Sequence, residues 1–277
     1  MHKKIYYING EYTEQSNAKI SLTDSAFLYG DGLFETIRFE NSKLFSINKH
    51  LDRLKHGLKI INLEYNKTDL ELVKLLNSLI KVNTINSGLL RLMITRGNID
   101  GPIWEYVGDP NTYILINELI QKPKKPVKVV FFNEQNYPIM RFNPAIKSMN
   151  YIGNMKAKTD AFKEGAFEPV FYNKNKIITE CAIRNIFFIK SNKLYTPSLD
   201  LGVLPGVMRD TVLGIAREQE LEINESHIEF NTIDDFDEAF ISSSGIGVLE
   251  CYWDDWKSDY YRTKKIKKVL AEKLTNC

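Results

Sequence analysis

Cysteine is scarce in this 277-residue chain: Cys181, Cys251 and Cys277 are the only three. They are too scattered for a disulfide framework and lack the closely spaced pairs of a zinc site, so a reducing, cytoplasmic setting is expected. The four histidines, His2, His50, His56 and His227, show no metal-ligand spacing, and no metal is expected. No apolar run approaches the roughly 18 residues of a membrane span, and the basic start MHKKIYYINGEY leads into no signal-like apolar core. Neither membrane insertion nor secretion by the common route is predicted. Charge of one sign is also missing. Lys plus Arg number 37 against 35 Asp plus Glu, a net of +2, which offers no field for nucleic acid or an acidic membrane. With 43% hydrophobic and 12% aromatic residues, and no repeat or low-complexity tract, the composition is that of a folded globular protein. A GxSxG elbow and a GxxxxGK[ST] phosphate loop are absent too.

What is present divides the chain in two. Residues 4–8, 33–39 and 44–47 alternate like strands, and Asn9-Gly10 supplies a hairpin turn. Asn48 is placed to cap a helix whose Leu51, Leu54, Leu58 and Ile61 form one stripe; residues 68–82 repeat the pattern with Leu70, Val73, Leu76 and Ile80. Strand patterns return at 89–95 and 112–116. The segment QKPKKPVKV, with two prolines and four lysines, reads as a linker. The expected domains are therefore 1–121, an α/β (α+β) unit, and 122–277, a larger β-rich unit. The second should hold strands at 127–132, 169–172, 177–180, 185–190 and 193–196, and helices near 151–164 and 207–220. The closing YYRTKKIKKVLAEKL reads as an amphipathic helix with a solvated lysine face.

Two segments suit an anion. In GVLPGVMRDTVL, Pro205-Gly206 precedes a helix, so the backbone N–H groups of Val207 and Met208 should point outward at a positive helix end. Alone, this would be an ordinary capped helix, just as the loop Ser242-Ser243-Ser244-Gly245 after EAFI would be a plain polar turn.

Together with YINGEY, LTDSAFLYGDGLFETIR, HLDRL, AIKSMNY and ITECAIRNIFFI, in that order, these segments resemble the class IV aminotransferase family. That family comprises pyridoxal-phosphate enzymes, including branched-chain aminotransferases, D-amino-acid aminotransferases and aminodeoxychorismate lyases. The likeness covers nearly the whole chain. It implies a fold-type-IV arrangement of two α/β domains with pyridoxal 5'-phosphate between them, and usually a homodimer. By the same resemblance, Lys147 of AIKSMNY is the lysine that bonds to the cofactor aldehyde. A lysine attacks only in its neutral form, which burial and nearby positive charge favour. Glu180 of ITEC matches the glutamate facing the pyridine nitrogen, where it keeps the ring able to accept electrons. Arg53 of HLDRL matches the phosphate-binding arginine, whose planar fork donates two bonds at once. Val207, Met208, Ser243 and Ser244 would complete the phosphate site. Tyr151 is the expected partner of the cofactor's phenolic oxygen, with core packing as the alternative. Asn185 matches a recurrent asparagine, although Arg184 before it is bulkier than the usual residue.

For the substrate the resemblance divides. Tyr29, Phe34, Arg38 and Arg91 match pocket positions of branched-chain aminotransferases, but Leu89 stands where those enzymes carry a tyrosine. Asp31-Gly32 and Thr36 resemble the lyases or D-amino-acid enzymes, yet Gly101 replaces the arginine usual there. Transamination between an amino acid and a 2-oxo acid is the expected activity. Aminodeoxychorismate lyase, yielding 4-aminobenzoate and pyruvate, is the alternative within the family. A non-catalytic binding protein with the same fold is the alternative outside it, disfavoured by intact Lys147, Glu180 and Arg53.

Overall fold

A computed structural model describes residues 3–102, 105, 108–119 and 121–275. His2, Cys277 and part of the TRGNIDGPIW segment lie outside the described residues. The chain splits into two compact units, one drawn from Met1–Ile120 and Ile146–Asn150, the other from Gln121–Ala145 and Tyr151–Asn276.

In the first unit, β1 (Ile5–Ile8) and β2 (Glu11–Glu14) pair across Asn9 and Gly10, both at positive φ. That is the backbone a two-residue hairpin with right-handed strand twist demands. The short helix α1 (Ser25–Tyr29) is capped by Asp24, whose carboxylate accepts the Ala26 N–H at 2.9 Å. Gly30 ends it at φ 70°, where a Cβ would also collide with the Asn150 side chain. Then come β3 (Gly32–Glu40), β4 (Lys43–Leu44), α2 (Ile47–Ile60), α3 (Asp69–Asn83), β5 (Gly88–Thr95) and β6 (Asn111–Glu118). Together they form an antiparallel sheet ordered β2-β1-β6-β5-β3-β4. Both long helices bury their stripes on it, Leu51, Leu54 and Leu58 from α2, and Leu72, Leu76, Leu79 and Ile80 from α3, against Leu33, Ile37, Phe39, Leu90 and Ile114.

Three local expectations change. The strand expected at 44–47 stops at Leu44, and Asn48 lies inside α2 instead of capping it. Ser46, at φ 48°, turns the chain out of the hairpin, so the helix starts two residues earlier than expected. In α3, Leu70 is exposed and Leu72 is buried in its place. The reciprocal capping box between Thr68 and Glu71 sets the helix start, and the 72-76-79-80 spacing makes a tighter single face than the one expected.

Residues 146–150 join this unit by adding to the open edge of β3. The Phe34 N–H donates to the Lys147 carbonyl and the Met149 N–H to the Gly32 carbonyl, both at 3.0 Å. Lys147 is thereby tied to β3 by its own backbone.

The second unit contains β7 (Val127–Asn133), α4 (Ile152–Lys163), β8 (Glu168–Tyr172), β9 (Ile178–Cys181), β10 (Asn185–Lys190) and β11 (Lys193–Pro197). It continues with α5 (Val207–Glu218), β12 (Glu222–Ser226), β13 (Glu238–Ser243), β14 (Gly247–Tyr252) and α6 (Tyr261–Thr275). Its mixed sheet runs β12-β11-β10-β13-β14-β7-β8-β9. Val129, Val170, Ile186, Phe188, Ile241 and Leu249 build the core with Trp253 and Trp256, whose rings stack at 4.0 Å. Helix α6 buries Ile266, Leu270 and Leu274 and turns Lys264, Lys265 and Lys268 to water. Among the described residues no helix is long and apolar enough to cross a membrane, and no cluster of three His, Cys, Asp or Glu groups could hold a metal.

Candidate active site

The pleat of β3 sorts its side chains onto two faces. Leu33, Ile37 and Phe39 enter the helix-covered core, and Glu35 goes with them, fully buried. A carboxylate there is costly unless paired. Helix α2 supplies the partners one turn apart: His50 Nδ1 lies 2.7 Å from Glu35 Oε2, and Arg53 closes a fork, Nε to Oε1 at 2.8 Å and Nη2 to Oε2 at 2.6 Å. Burial pushes the Glu35 carboxyl up, but the charge of Arg53 and the bonds from His50 and Arg53 outweigh it and hold its pKa at about 2. Burial, opposed by Glu35 and assisted by the positive charges of Arg53 and Lys147, lowers that of His50. His50 Nε2 is buried without a hydrogen-bond partner.

The other face of β3 carries Phe34, Thr36 and Arg38. The Phe34 ring is shared by two cations: the Arg91 guanidinium carbon lies 3.9 Å from its centroid and Lys147 Nζ 4.4 Å. Such contacts orient a cation and offset some of its lost hydration. Thr36 stands opposite Arg91 in the β3/β5 register. Phe34, Thr36, Arg91 and Lys147 are therefore one group. Arg38, by contrast, is buried and turned onto Glu40, its Nε donating at 2.8 Å. Tyr29 is exposed at the end of α1. Asp31 of the GDG turn is held by Arg96, at 2.6 Å from Nε, and that arginine also donates to the Ile61 carbonyl.

The second unit assembles its own group around the backbone of one residue, Leu204. Glu180 Oε2 accepts the Leu204 N–H at 3.2 Å, while Asn185 Nδ2 donates to the Leu204 carbonyl at 3.0 Å. The other Glu180 oxygen meets Arg141, which also reaches Glu134 at 3.0 Å and Thr179 at 3.1 Å. Gly206 packs so closely on Asn185 that an added Cβ would lie 2.1 Å from its Oδ1, which reserves the position for glycine. Helix α5 then starts at Val207 and Met208 with no side-chain cap. The first-turn N–H groups of a helix have no acceptor within it. Ser242 pairs with Asn185 in the β10/β13 register, and its buried Oγ has no partner. Ser243 ends β13, Ser244 follows it half-buried, and half-buried Tyr151 is the N-cap residue immediately before α4.

These donors suit the phosphorylated pyridine aldehyde that the sequence resemblance implies. An uncapped helix start, a glycine without room for a Cβ and an orphaned buried hydroxyl are fit for a phosphate. Glu180 is fit for a ring nitrogen, and the Lys147 amine for an aldehyde. Sequence reasoning did not find Glu35, His50, Arg96 or Arg141. Two signals were available: an acid inside the apolar strand GLFETIR, and a histidine three residues before Arg53, hence on the same helix face.

A model of the family described as amino-transferase class IV matches residues 32–251. An aminodeoxychorismate lyase of Bacillus subtilis is 32% identical over 88% of this chain and 84% of its own. A D-alanine aminotransferase of Listeria monocytogenes is 30% identical over 87% of this chain and 84% of its own. The crystal structure of the Escherichia coli branched-chain amino acid aminotransferase superposes with a TM-score of 0.89 at 22% identity, covering 99% of this chain and 95% of that one. The two-sheet α/β architecture is thus that of fold-type-IV enzymes.

Proposed function

Because this chain belongs to the aminotransferase class IV family, whose members use pyridoxal 5'-phosphate, we propose that it moves an amino group between an amino acid, glutamate or branched-chain, and a 2-oxo acid. The observation that carries this reading is the shared Phe34 ring: an amine, Lys147, and a guanidinium, Arg91, stand on one aromatic platform. A substrate with a carboxylate needs a cationic partner to offset its desolvation, and Arg91 is that partner beside the reactive amine. When bound, the cofactor supplies an aldehyde for amines and a ring that accepts electrons from the substrate Cα. Lys147 would hold it and move the Cα proton through its Nζ. Glu180, steadied by Arg141 and the Leu204 N–H, would face the ring nitrogen. Arg53, the N–H groups of Val207 and Met208, and Ser243 and Ser244 would take the phosphate; Asn185 keeps the turn before α5 in place. Tyr151 would meet the phenolic oxygen. Around the substrate we place Phe34, Thr36 and Arg91, with Tyr29 and Arg38 at its margin.

The working form is read as a homodimer. Ile152, Met155 and Phe162, exposed at helical spacing on α4, support it with an apolar stripe that light scattering can test.

A second reading rests on Thr36 and the Asp31-Gly32 turn, and on the 32% identity to the Bacillus subtilis protein named aminodeoxychorismate lyase. The two are separated by the fate of the nitrogen. Loaded with pyridoxal phosphate, the protein should be yellow, and borohydride should fix the cofactor to Lys147 in a tryptic peptide. Glutamate alone should then bleach the visible band and release one 2-oxoglutarate per site. If glutamate and the branched-chain amino acids leave the band unchanged while aminodeoxychorismate yields pyruvate and 4-aminobenzoate, the lyase reading replaces ours. Label on another lysine would sink both.

A further inference from the structure

The turn that joins β9 to β10 is fastened with more care than its three residues, 182–184, would need for their own sake. Its anchor is Glu168, the first residue of β8, with no exposed surface. Glu168 Oε1 accepts the Ile183 N–H at 3.0 Å, and Oε2 meets Arg184 Nη1 and, at 2.6 Å, Lys158 Nζ. The Arg184 guanidinium lies 4.7 Å from the Phe167 ring centroid. The turn closes on itself through the Cys181 N–H and the Arg184 carbonyl at 3.0 Å. It is also pinned on both sides of Ala182, whose N–H donates to the Pro169 carbonyl at 3.2 Å and whose carbonyl accepts Asn154 Nδ2 at 2.7 Å.

Glu180 stands two residues before this turn, across Cys181, and Asn185 directly after it, and both bond to Leu204, one to its N–H and the other to its carbonyl. They work as the two jaws of a caliper. If the turn shifts, their separation changes and one of them must leave Leu204, and with it the approach to Gly206 and the start of α5. We propose that Arg184 is a positioning residue: through buried Glu168 it sets the 182–184 turn, and thereby the Glu180 and Asn185 side chains, for the cofactor. The assignment rests on the function proposed above.

Lys158 provides the control. It donates to the same Glu168 carboxylate and to the Phe167 carbonyl, both on the β8 side, and touches nothing in the turn through those bonds. Arg184→Met and Lys158→Met each remove one cation from the same buried acid, so each should lower the thermal midpoint. Only Arg184→Met should also weaken pyridoxal phosphate, by about tenfold in equilibrium dialysis, with a changed visible spectrum of the bound cofactor. Lys158→Met should stay within about twofold of the parent. Arg184→Lys, which keeps a charged donor toward Glu168, should regain part of the affinity; it also serves if Arg184→Met does not fold. Unchanged affinity in the folded Arg184 variant, or an equal loss in Lys158→Met, overturns the proposal while leaving the function reading intact. A parent protein that binds no pyridoxal phosphate overturns the function reading, and the proposal falls with it.

Discussion

Each unit sets a glutamate against an arginine, and the two pairs differ in how much of the acid is sealed. Glu35 has no exposed surface, and both its oxygens are occupied by Arg53 and His50. The Glu180 side chain keeps 15% of its surface, held at one oxygen by Arg141 and at the other by a single backbone N–H. The same chemistry therefore serves two ends. A carboxylate with both oxygens bonded inside the core and no surface of its own can only hold its neighbours in place, while one held from behind can still present itself to a ligand. Sealing decides between structure and chemistry, because removing a partner from a sealed pair strands a charge where water cannot reach it.

The contrast breaks most sharply at Glu35. Glu35→Ala leaves Arg53 and His50 facing an uncharged core and should cost about 3–5 kcal/mol of stability in urea denaturation. A loss under about 1 kcal/mol, well below that cost, would mean that the first unit does not depend on this acid. Next is Glu180→Gln, which should slow single-turnover transfer roughly 100-fold while costing about 1–3 kcal/mol of stability, because an amide oxygen can serve only one of the two donors, Arg141 and the Leu204 N–H. If binding and turnover fall together, the open acid is structural after all and the comparison collapses. Arg53 sits on both sides of the distinction, since its fork is on Glu35 while its proposed ligand is a phosphate. Arg53→Lys keeps the charge and loses the fork; cofactor affinity should drop about tenfold, with a stability loss of roughly 1–2 kcal/mol. Affinity that holds while stability falls would assign Arg53 to Glu35 alone.

The smallest effect is in acid. The Glu35 pKa is lowered from 4.5 to about 2, so its contribution to stability is complete above the unfolded value and lost as pH falls toward the folded one. At pH 4 the loss should be about 1 kcal/mol. The lowered pKa of His50 acts in the same direction, because below 6.5 the unfolded chain takes up that proton before the folded one does. Urea midpoints at pH 7 and pH 4 should converge in Glu35→Gln relative to the parent; a parallel shift in both proteins would place the acid sensitivity elsewhere.

Local signals in the chain were read well where neighbours in sequence are also neighbours in space. The Asn9-Gly10 hairpin, the stripe of α2 and the glycine before α5 need only a few consecutive residues to be recognised. Reading failed where tertiary packing chose between local options. Leu70 is as apolar as Leu72, and only contact with the sheet shows which of them is buried. Strand β14, GVLECY, carries no alternation because it is buried along nearly its whole length, so periodicity had nothing to report.

The same division runs through the candidate site. Lys147, Arg53, Glu180 and Asn185 stand in short motifs, and a motif survives being read as a string. Their supports do not. His50 meets Glu35 across 15 positions, Arg141 meets Glu180 across 39, and Arg184 meets Glu168 across 16. The sequence by itself determined two α/β units, the family, its cofactor and the residues that carry the motifs, because these depend on residue type, order and spacing. Only the tertiary structure decided which acids are sealed and which stay open, that Lys147 belongs to the edge of β3, and that Arg91 shares its aromatic ring. Burial and charge pairing are properties of three-dimensional neighbourhoods, and a carboxylate's role follows from how many of its lone pairs those neighbours leave free.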